Sequence, residues 1–127
     1  MKRILPIVLC SLLLLSGCGN SAEDRGYTMI DQEEAKRMMD TQTVVILDVR
    51  EQYEFDEGHI AGAVLLPSTN INEETAAAVI PDKDSVVLVY CRTGMRSLFA
   101  AATLAELGYT NVYEFGGIVT GPYETEQ

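Results

Sequence analysis

Two largely apolar runs constrain the fold of this chain more than any other feature. Residues 43–49 read TVVILDV and residues 86–90 read VVLVY, and both runs are rich in β-branched side chains. Such runs are typical of strands that are buried on both faces, as in a parallel sheet. Helical patterns separate them, so we predict an α/β fold with a mainly parallel central sheet flanked by helices.

Shorter segments complete this pattern. We predict further strands at 27–30, 63–66 and 111–115, and helices at about 32–40, 72–79 and 97–107. Asp31 and Asn72 stand where helix caps are expected, and Glu34 completes a capping box with Asp31. Residues 51–58 are acidic and turn-like, with room for one helical turn. The sequence shows no internal repeat.

The N-terminus has the organisation of a targeting segment. Lys2 and Arg3 precede an apolar stretch at 4–15, which is too short for a comfortable membrane span and ends in Leu-Ser-Gly-Cys at 15–18. This tetrapeptide resembles the lipobox of bacterial lipoproteins. The resemblance implies cleavage before Cys18 and acylation of its thiol, with palmitate among the expected acyl groups. An ordinary cleaved signal and a weak membrane anchor are the alternatives.

We therefore predict three regions. Residues 1–17 form a signal peptide that is removed, residues 18–26 carry the lipidated cysteine and a polar tether, and residues 27–127 form the folded domain. The protein is expected to be extracytoplasmic and anchored by its lipid to a bacterial membrane, of either a Gram-positive or a Gram-negative cell. Cleavage would remove two of nine basic residues and none of 19 acidic ones. This negative charge argues against nucleic acid as a partner, and we expect a monomer.

Cysteine usage then draws attention to one residue. Cys10 would leave with the signal peptide and Cys18 would be acylated, so Cys91 would be the only free thiol. No disulfide framework or multi-cysteine metal site is expected, and we predict neither a metal nor an organic cofactor. Cys91 is either a buried structural cysteine or a reactive one. Its position after a strand and before a helix favours reactivity, since a helix N-terminus stabilises a thiolate.

The loop after Cys91 is suited to an anion. Arg92 and Arg96 are cations near a helix N-terminus, where they are locally unfavourable unless an anion is bound. Gly94 allows close backbone approach, and Thr93 can donate a hydroxyl hydrogen bond. Arg92 as a solvated charge and Arg96 paired with a nearby carboxylate are the alternatives. Met95 is expected to be an apolar contact at the loop tip, and Ser97 either a hydroxyl donor or a helix cap.

Three segments together resemble a single-domain rhodanese, a sulfurtransferase. They read LDVREQYEFDEGHIAGAVLLP at 47–67, VYCRTGMRS at 89–97 and LAELGYTNVYEFGGI at 104–118. The resemblance implies a rhodanese-like three-layer sandwich. It also implies that Cys91 is catalytic and carries a persulfide, that the loop from Cys91 to Arg96 cradles the sulfur, and that Asp48 and Arg50 brace this loop. His59, the only histidine, would be structural, with a general base as the less favoured alternative.

Two comparisons with related patterns refine this interpretation. Phosphatases of the same fold have five residues between cysteine and arginine, whereas four stand here, and the smaller loop fits sulfur better than phosphate. Phosphatase or arsenate reductase activity is therefore less favoured. Rhodaneses often have a tryptophan shortly after the Gly-Gly, and this chain has none.

The predicted activity is transfer of sulfane sulfur from thiosulfate, or a similar small anion, to cyanide or a thiol through a persulfide on Cys91. Arg92 and Arg96 would neutralise the incoming dianion, and the loop amides would stabilise developing charge. A rival of another class is a non-enzymatic module that carries sulfane sulfur without turnover or docks a partner.

Overall fold

Strands and helices alternate along the chain, as the apolar runs predict. The structure, a computed structural model, describes residues 25–127. The strands are β1 (Thr28–Met29), β2 (Val45–Asp48), β3 (His59–Ile60), β4 (Val64–Leu65), β5 (Val86–Cys91), β6 (Asn111–Gly117) and β7 (Thr125–Glu126). The α-helices are α1 (Gln32–Thr41), α2 (Gln52–Glu57), α3 (Glu73–Val79) and α4 (Met95–Glu106), and short 3-10 helices span Ser68–Asn70 and Ile118–Thr120.

Five strands form the central sheet in the order β1-β6-β5-β2-β4, and every neighbouring pair is parallel. The two predicted apolar runs are its centre, because β5 lies between β6 and β2. A separate antiparallel pair joins β3 to β7. This arrangement confirms the predicted α/β class with a mainly parallel sheet.

The sheet is covered on both faces. Along β5, Val87, Val89 and Cys91 pack into one cluster with residues of α3 and α4. Leu88 and Tyr90 pack into the other cluster, which includes Ala35 and Met38 of α1. Alternate side chains of a strand point to opposite faces, so the two clusters lie on opposite sides of the sheet. The result is the predicted sandwich of three layers.

Local sequence determines where two helices begin. Asp31 caps α1 by accepting a hydrogen bond of 2.8 Å from the Glu34 amide. The reciprocal contact expected of Glu34 is not formed, because its carboxylate pairs with Arg37 instead. Asn72 caps α3 and accepts from the Thr75 amide at 2.9 Å.

Three elements differ from the prediction. The acidic segment after Arg50 forms the full helix α2, whose capping box joins Glu51 and Glu54. Helix α4 begins at Met95, two residues earlier than predicted. The pair of β3 and β7 was not predicted, because strands of two residues carry no periodic pattern.

The predicted signal peptide and the acylated Cys18 lie outside the described residues. Within residues 25–127, no helix is both long and apolar enough to cross a membrane.

Candidate active site

Cys91 is the last residue of the central strand β5. Its side chain is buried, and it lies opposite Gly117 in the register between β5 and β6, after an irregularity between Val89 and Cys91. Ligands of open α/β sheets bind beyond the carboxyl ends of the strands. The thiol therefore lies at the edge of the sheet where a site is expected.

A tight turn connects Cys91 to helix α4. Gly94 is the N-cap of the helix and has a φ of 113°, a left-handed conformation that favours glycine. Its amide donates a hydrogen bond of 3.0 Å to Cys91 Sγ. The early start of α4 follows from this turn, and it leaves only Arg92, Thr93 and Gly94 between strand and helix. Met95 and Arg96 therefore belong to the first turn of the helix.

The turn packs closely against the end of β6. A β-carbon added to Gly117 would lie 1.9 Å from the backbone oxygen of Arg92 and 2.8 Å from the Cα of Thr93. Any larger residue at 117 must displace this backbone. Gly117 thus determines how near the turn comes to the sheet.

Ser97 connects the thiol to a buried carboxylate. Its Oγ lies 3.4 Å from Cys91 Sγ and donates to Glu114 Oε1 at 2.6 Å. The Gly116 amide donates to the same Glu114 oxygen at 2.8 Å. Ser97 is therefore not the helix cap, and the hydroxyl bridges Cys91 and Glu114.

Sequence reasoning missed Glu114, which is only 3% exposed. The alternation of side chains along β6 could have revealed this residue. A strand repeats every two residues, so Glu114 lies on the same face as the buried Val112. A carboxylate on that face must lie beneath α4, close to the turn.

Arg96 forms a bidentate ion pair with Glu54 of α2. Its two terminal nitrogens lie 2.7 and 2.9 Å from the two carboxylate oxygens. The hydrogen bonds from Arg96 lower the pKa of Glu54 to about 2, and the same contact raises the pKa of Arg96. This is the carboxylate pairing that the sequence left open as an alternative for Arg96. Its charge is already neutralised without a substrate.

The other predicted substrate-binding residues lie around the turn. Arg92 and Thr93 are exposed, and Met95 is 77% exposed. Within residues 25–127, no carboxylate lies within 4.0 Å of the Arg92 guanidinium. Arg92 is therefore the cation of the turn that remains available to an anion.

Asp48 and Arg50 form a buried pair one strand away. Arg50 Nη2 lies 2.7 Å from Asp48 Oδ2 and also donates to the Gly58 carbonyl at 2.7 Å. Burial lowers the pKa of Arg50, but the Asp48 carboxylate outweighs this effect and the net shift is upward. The pair was expected to brace the active-site loop. The hydrogen bonds of the pair to other residues reach Tyr90 and Gly58 rather than the turn.

Tyr90 connects the pair of Asp48 and Arg50 to the end of strand β5. Its hydroxyl donates to Asp48 Oδ2 at 2.7 Å and accepts from the Ile60 amide at 3.0 Å. Burial raises the pKa of Tyr90, so the hydroxyl stays protonated and can donate. The residue before Cys91 is thus fixed to β2 and β3.

His59 has the surroundings of a structural residue. Its ring stacks on Phe55 with centroids 3.6 Å apart, and its Nδ1 lies 2.8 Å from the Phe55 carbonyl oxygen. Its Nε2 lies 3.3 Å from Glu126. These contacts tie α2 and β3 to the C-terminal strand.

Comparison with known proteins agrees with this geometry. Residues 31–119 match the model of the rhodanese-like domain. The chain belongs to this family. It is 40% identical over 72 residues to the thiosulfate sulfurtransferase PspE of Escherichia coli strain K12, covering 57% of this chain and 68% of the relative. It is 38% identical over 95 residues to the thiosulfate sulfurtransferase GlpE of Coxiella burnetii, covering 74% and 86% of the two chains.

A solved structure described as a rhodanese with anions from E. coli superimposes with a TM-score of 0.63 at 32% identity. The match covers 67% of this chain and 99% of that chain. This chain is a rhodanese-like domain with sulfurtransferase homologues. Cys91 is the only cysteine within residues 25–127, and it lies where the turn, α4 and Glu114 meet.

The region after Gly117 packs without the tryptophan that is frequent in the family. Tyr123 contacts Phe115 edge-on, with centroids 5.6 Å apart, and its hydroxyl donates to the Gln32 backbone oxygen at 3.1 Å. Gln32 in turn donates to the carbonyls of Phe115 and Gly117. The end of β6 is thereby fixed to the start of α1.

Proposed function

We propose that this rhodanese-like protein transfers sulfane sulfur from thiosulfate, or a similar small anionic donor, to cyanide or a thiol through a persulfide on Cys91. The observation that carries the proposal is the amide of Gly94, which donates to Cys91 Sγ at the start of α4. A helix N-terminus and a directed N–H group stabilise negative charge on sulfur. The named sulfurtransferases among the relatives support the same reaction class.

The cycle has two halves. The Cys91 thiolate attacks the outer sulfur of thiosulfate, the bond between the two donor sulfurs breaks, and sulfite leaves with the electron pair. The acceptor then attacks the outer sulfur of the persulfide, and the electron pair of the broken bond returns to Cys91. Covalent catalysis of this kind needs no electron donor and no resident cofactor.

Arg92 is the cation proposed to attract the donor, because Arg96 is already paired with Glu54. Thr93 and the amides of the turn would stabilise the charge that develops on sulfur. We assign Arg96 a positioning role instead. Its ion pair joins the first turn of α4 to α2 and so limits how far the turn can move.

The experiment is the intact mass of the soluble domain from Ser21 onward after thiosulfate treatment. We expect a gain of one sulfur atom in the wild type, reversed by cyanide, and no gain in Cys91→Ala. Full sulfur-transfer activity in Cys91→Ser would overturn the mechanism. Repeated turnover with cyanide distinguishes the enzyme from a carrier, which would load once and stall.

We also propose that Cys18 is acylated and anchors the domain to a bacterial membrane. Support comes from the Leu-Ser-Gly-Cys sequence after a basic start and an apolar run. The full chain expressed in bacteria should partition with membranes, and the mass of its N-terminal peptide should include acyl chains on Cys18. Cys18→Ser should release the protein from membranes, and unchanged partitioning would contradict the proposal.

A further inference from the structure

An open groove lies against the turn that follows Cys91, on the side of β1 and β6. It encloses about 410 Å3 and is lined by Met29, Thr93, Gly94, Met95, Leu98, Glu114 and Gly116. Gly94 also donates to Cys91 Sγ, and Glu114 shares the Ser97 hydroxyl with it. The groove is therefore connected to the thiol directly through Gly94 and indirectly through Glu114 and Ser97.

Glu114 is the one charged side chain that lines this groove. Both of its hydrogen bonds, from Ser97 Oγ and the Gly116 amide, go to Oε1. Oε2 has no hydrogen-bond donor among residues 25–127, although the side chain is only 3% exposed. A buried carboxylate oxygen without a donor is costly, and a ligand that supplies an N–H group would remove that cost.

The groove is otherwise mainly apolar, and its nearest cations are at the surface. Arg92 is exposed in the turn, and the exposed Arg25 contacts the Met29 sulfur at 3.4 Å. Salt screens exposed charges strongly and buried ones much less. Glu114 is therefore the only side chain lining the groove that brings a full charge to it, beside the partial positive charge of the α4 N-terminus.

We propose that the groove binds the sulfur acceptor and that Glu114 selects a thiol bearing an amino group. The inference rests on the proposed function. The acceptor's ammonium group hydrogen-bonds to Glu114 Oε2, while its sulfur, having lost its proton to solvent, attacks the outer sulfur of the Cys91 persulfide. The bond between that sulfur and Sγ breaks, Cys91 leaves as a thiolate, and the acceptor departs as a persulfide.

The test uses three small thiols that differ in charge: cysteamine, 2-mercaptoethanol and 3-mercaptopropionate. The soluble domain is first loaded with thiosulfate, and loading is verified by mass. The rate of sulfur loss from Cys91 is then measured with each thiol for the wild type and for Glu114→Gln. Comparing the two proteins with the same thiol cancels differences in intrinsic thiol reactivity.

Glu114→Gln keeps an oxygen that can accept from Ser97 and Gly116, so the turn should be preserved. We expect this variant to react roughly tenfold more slowly than the wild type with cysteamine, because losing one partly screened contact between opposite charges has an effect of about this size. Its rate with 2-mercaptoethanol should differ little from that of the wild type. Its rate with 3-mercaptopropionate should rise. The control is Glu106→Gln, which removes an exposed charge at the far end of α4 and should leave all three rates unchanged.

Equal effects of Glu114→Gln on all three thiols would overturn the proposal. A wild-type preference for 3-mercaptopropionate that disappears in Arg92→Gln would also overturn it, because the surface arginine would then select the acceptor. If Glu114→Gln does not fold, the test uses the wild type alone. The rate of sulfur loss with each thiol is then divided by the rate at which the same thiol reacts with a free persulfide. The corrected rate must be highest with cysteamine, and any other order rejects the inference. Failure of loading, in contrast, would contradict the proposed function with thiosulfate as the donor.

Discussion

Of the two arginines near the turn, Arg96 has its charge matched inside the protein. Arg96 and Glu54 form two hydrogen bonds, and the Glu54 side chain is only 6% exposed. Breaking such a pair leaves one charge uncompensated, which destabilises more than the pair itself stabilises. The stability that the pair contributes therefore depends on the charge of Glu54.

We expect the ion pair to be lost on acidification. The pKa of Glu54 is lowered to about 2 from an ordinary value of 4.5. A lowered carboxyl pKa contributes stability above pH 4.5, and this contribution disappears as the pH falls from 4.5 towards 2. The wild type should lose at most about 3 kcal/mol of unfolding free energy over this window through Glu54.

Urea unfolding between pH 7 and pH 3 measures this loss, with Glu54→Gln as the comparison. The variant should be less stable at pH 7 and should depend less on pH below 4.5. Because other carboxylates titrate in both proteins, the difference between the two curves isolates Glu54. Parallel curves would show that the pair does not contribute.

Tyr90 provides a second test at this scale. Tyr90→Phe removes the hydrogen bond to Asp48 and leaves the Ile60 amide without its acceptor. We expect a loss of about 1–3 kcal/mol in unfolding free energy, the usual cost of buried groups left unpaired. The control is Tyr53→Phe at a side chain that is 65% exposed, which should change stability by less than about 0.5 kcal/mol.

At the scale of elements, the junction between β5 and α4 depends on two glycines with different functions. Gly94 supplies a left-handed φ for the turn, and Gly117 leaves room for the backbone of Arg92. One glycine satisfies a conformational requirement and the other a steric one. The steric requirement involves a different strand, so it links the end of β6 directly to the thiol.

Gly117→Ala should therefore damage the site more than the fold. The added methyl group must push the turn away from the sheet, which moves the Gly94 amide relative to Cys91. We expect sulfur loading by thiosulfate, measured by mass, to slow by at least about tenfold, as misplacement by about 1 Å can cost far more.

Gly62→Ala is the matched control, because a β-carbon there meets no atom within 4 Å although φ is +87°. It should cost about 1 kcal/mol of stability through backbone strain and leave loading unchanged. Equal loading in wild type and Gly117→Ala would contradict the assigned function of Gly117.

Elements with strong patterns were predictable, and tertiary contacts were not. The runs around Leu47 and Leu88 predicted the central strands, because β-branched apolar residues in series have few other stable arrangements. The strand-to-helix position of Cys91 likewise followed from local pattern. The pairing of Arg96 with Glu54 could not be predicted from local pattern, because the two residues are 42 positions apart and only the folded chain brings α2 to α4.

At the scale of the whole molecule, the C-terminal strand completes a series of contacts that ends at Cys91. Strand β7 pairs with β3, where His59 is opposite Glu126. The Ile60 amide of β3 donates to Tyr90, the residue before Cys91. The last residues therefore support the site without contacting it.

Removal of residues 124–127 tests this support. We expect the truncated domain to lose roughly 1–2 kcal/mol in unfolding free energy, since several backbone hydrogen bonds and the His59 contact are lost. Thermal unfolding gives the readout, and sulfur loading at 25 °C should persist because Asp48 still holds Tyr90. A full-length control with Glu124→Gln should unfold as the wild type does, since only the backbone oxygen of Glu124 is used. An unchanged midpoint in the truncated domain would contradict this account.

The alternation along β5 has a consequence for how this chain can change length. Odd-numbered residues from Val87 to Cys91 face α3 and α4, and even-numbered ones face α1. Inserting or deleting one residue within the strand would reverse this parity and turn the thiol to the wrong layer. Two residues would restore the layer but move the thiol along the strand by about 7 Å, away from the Gly94 amide. The length of β5 is therefore fixed by the position of the thiol as well as by packing.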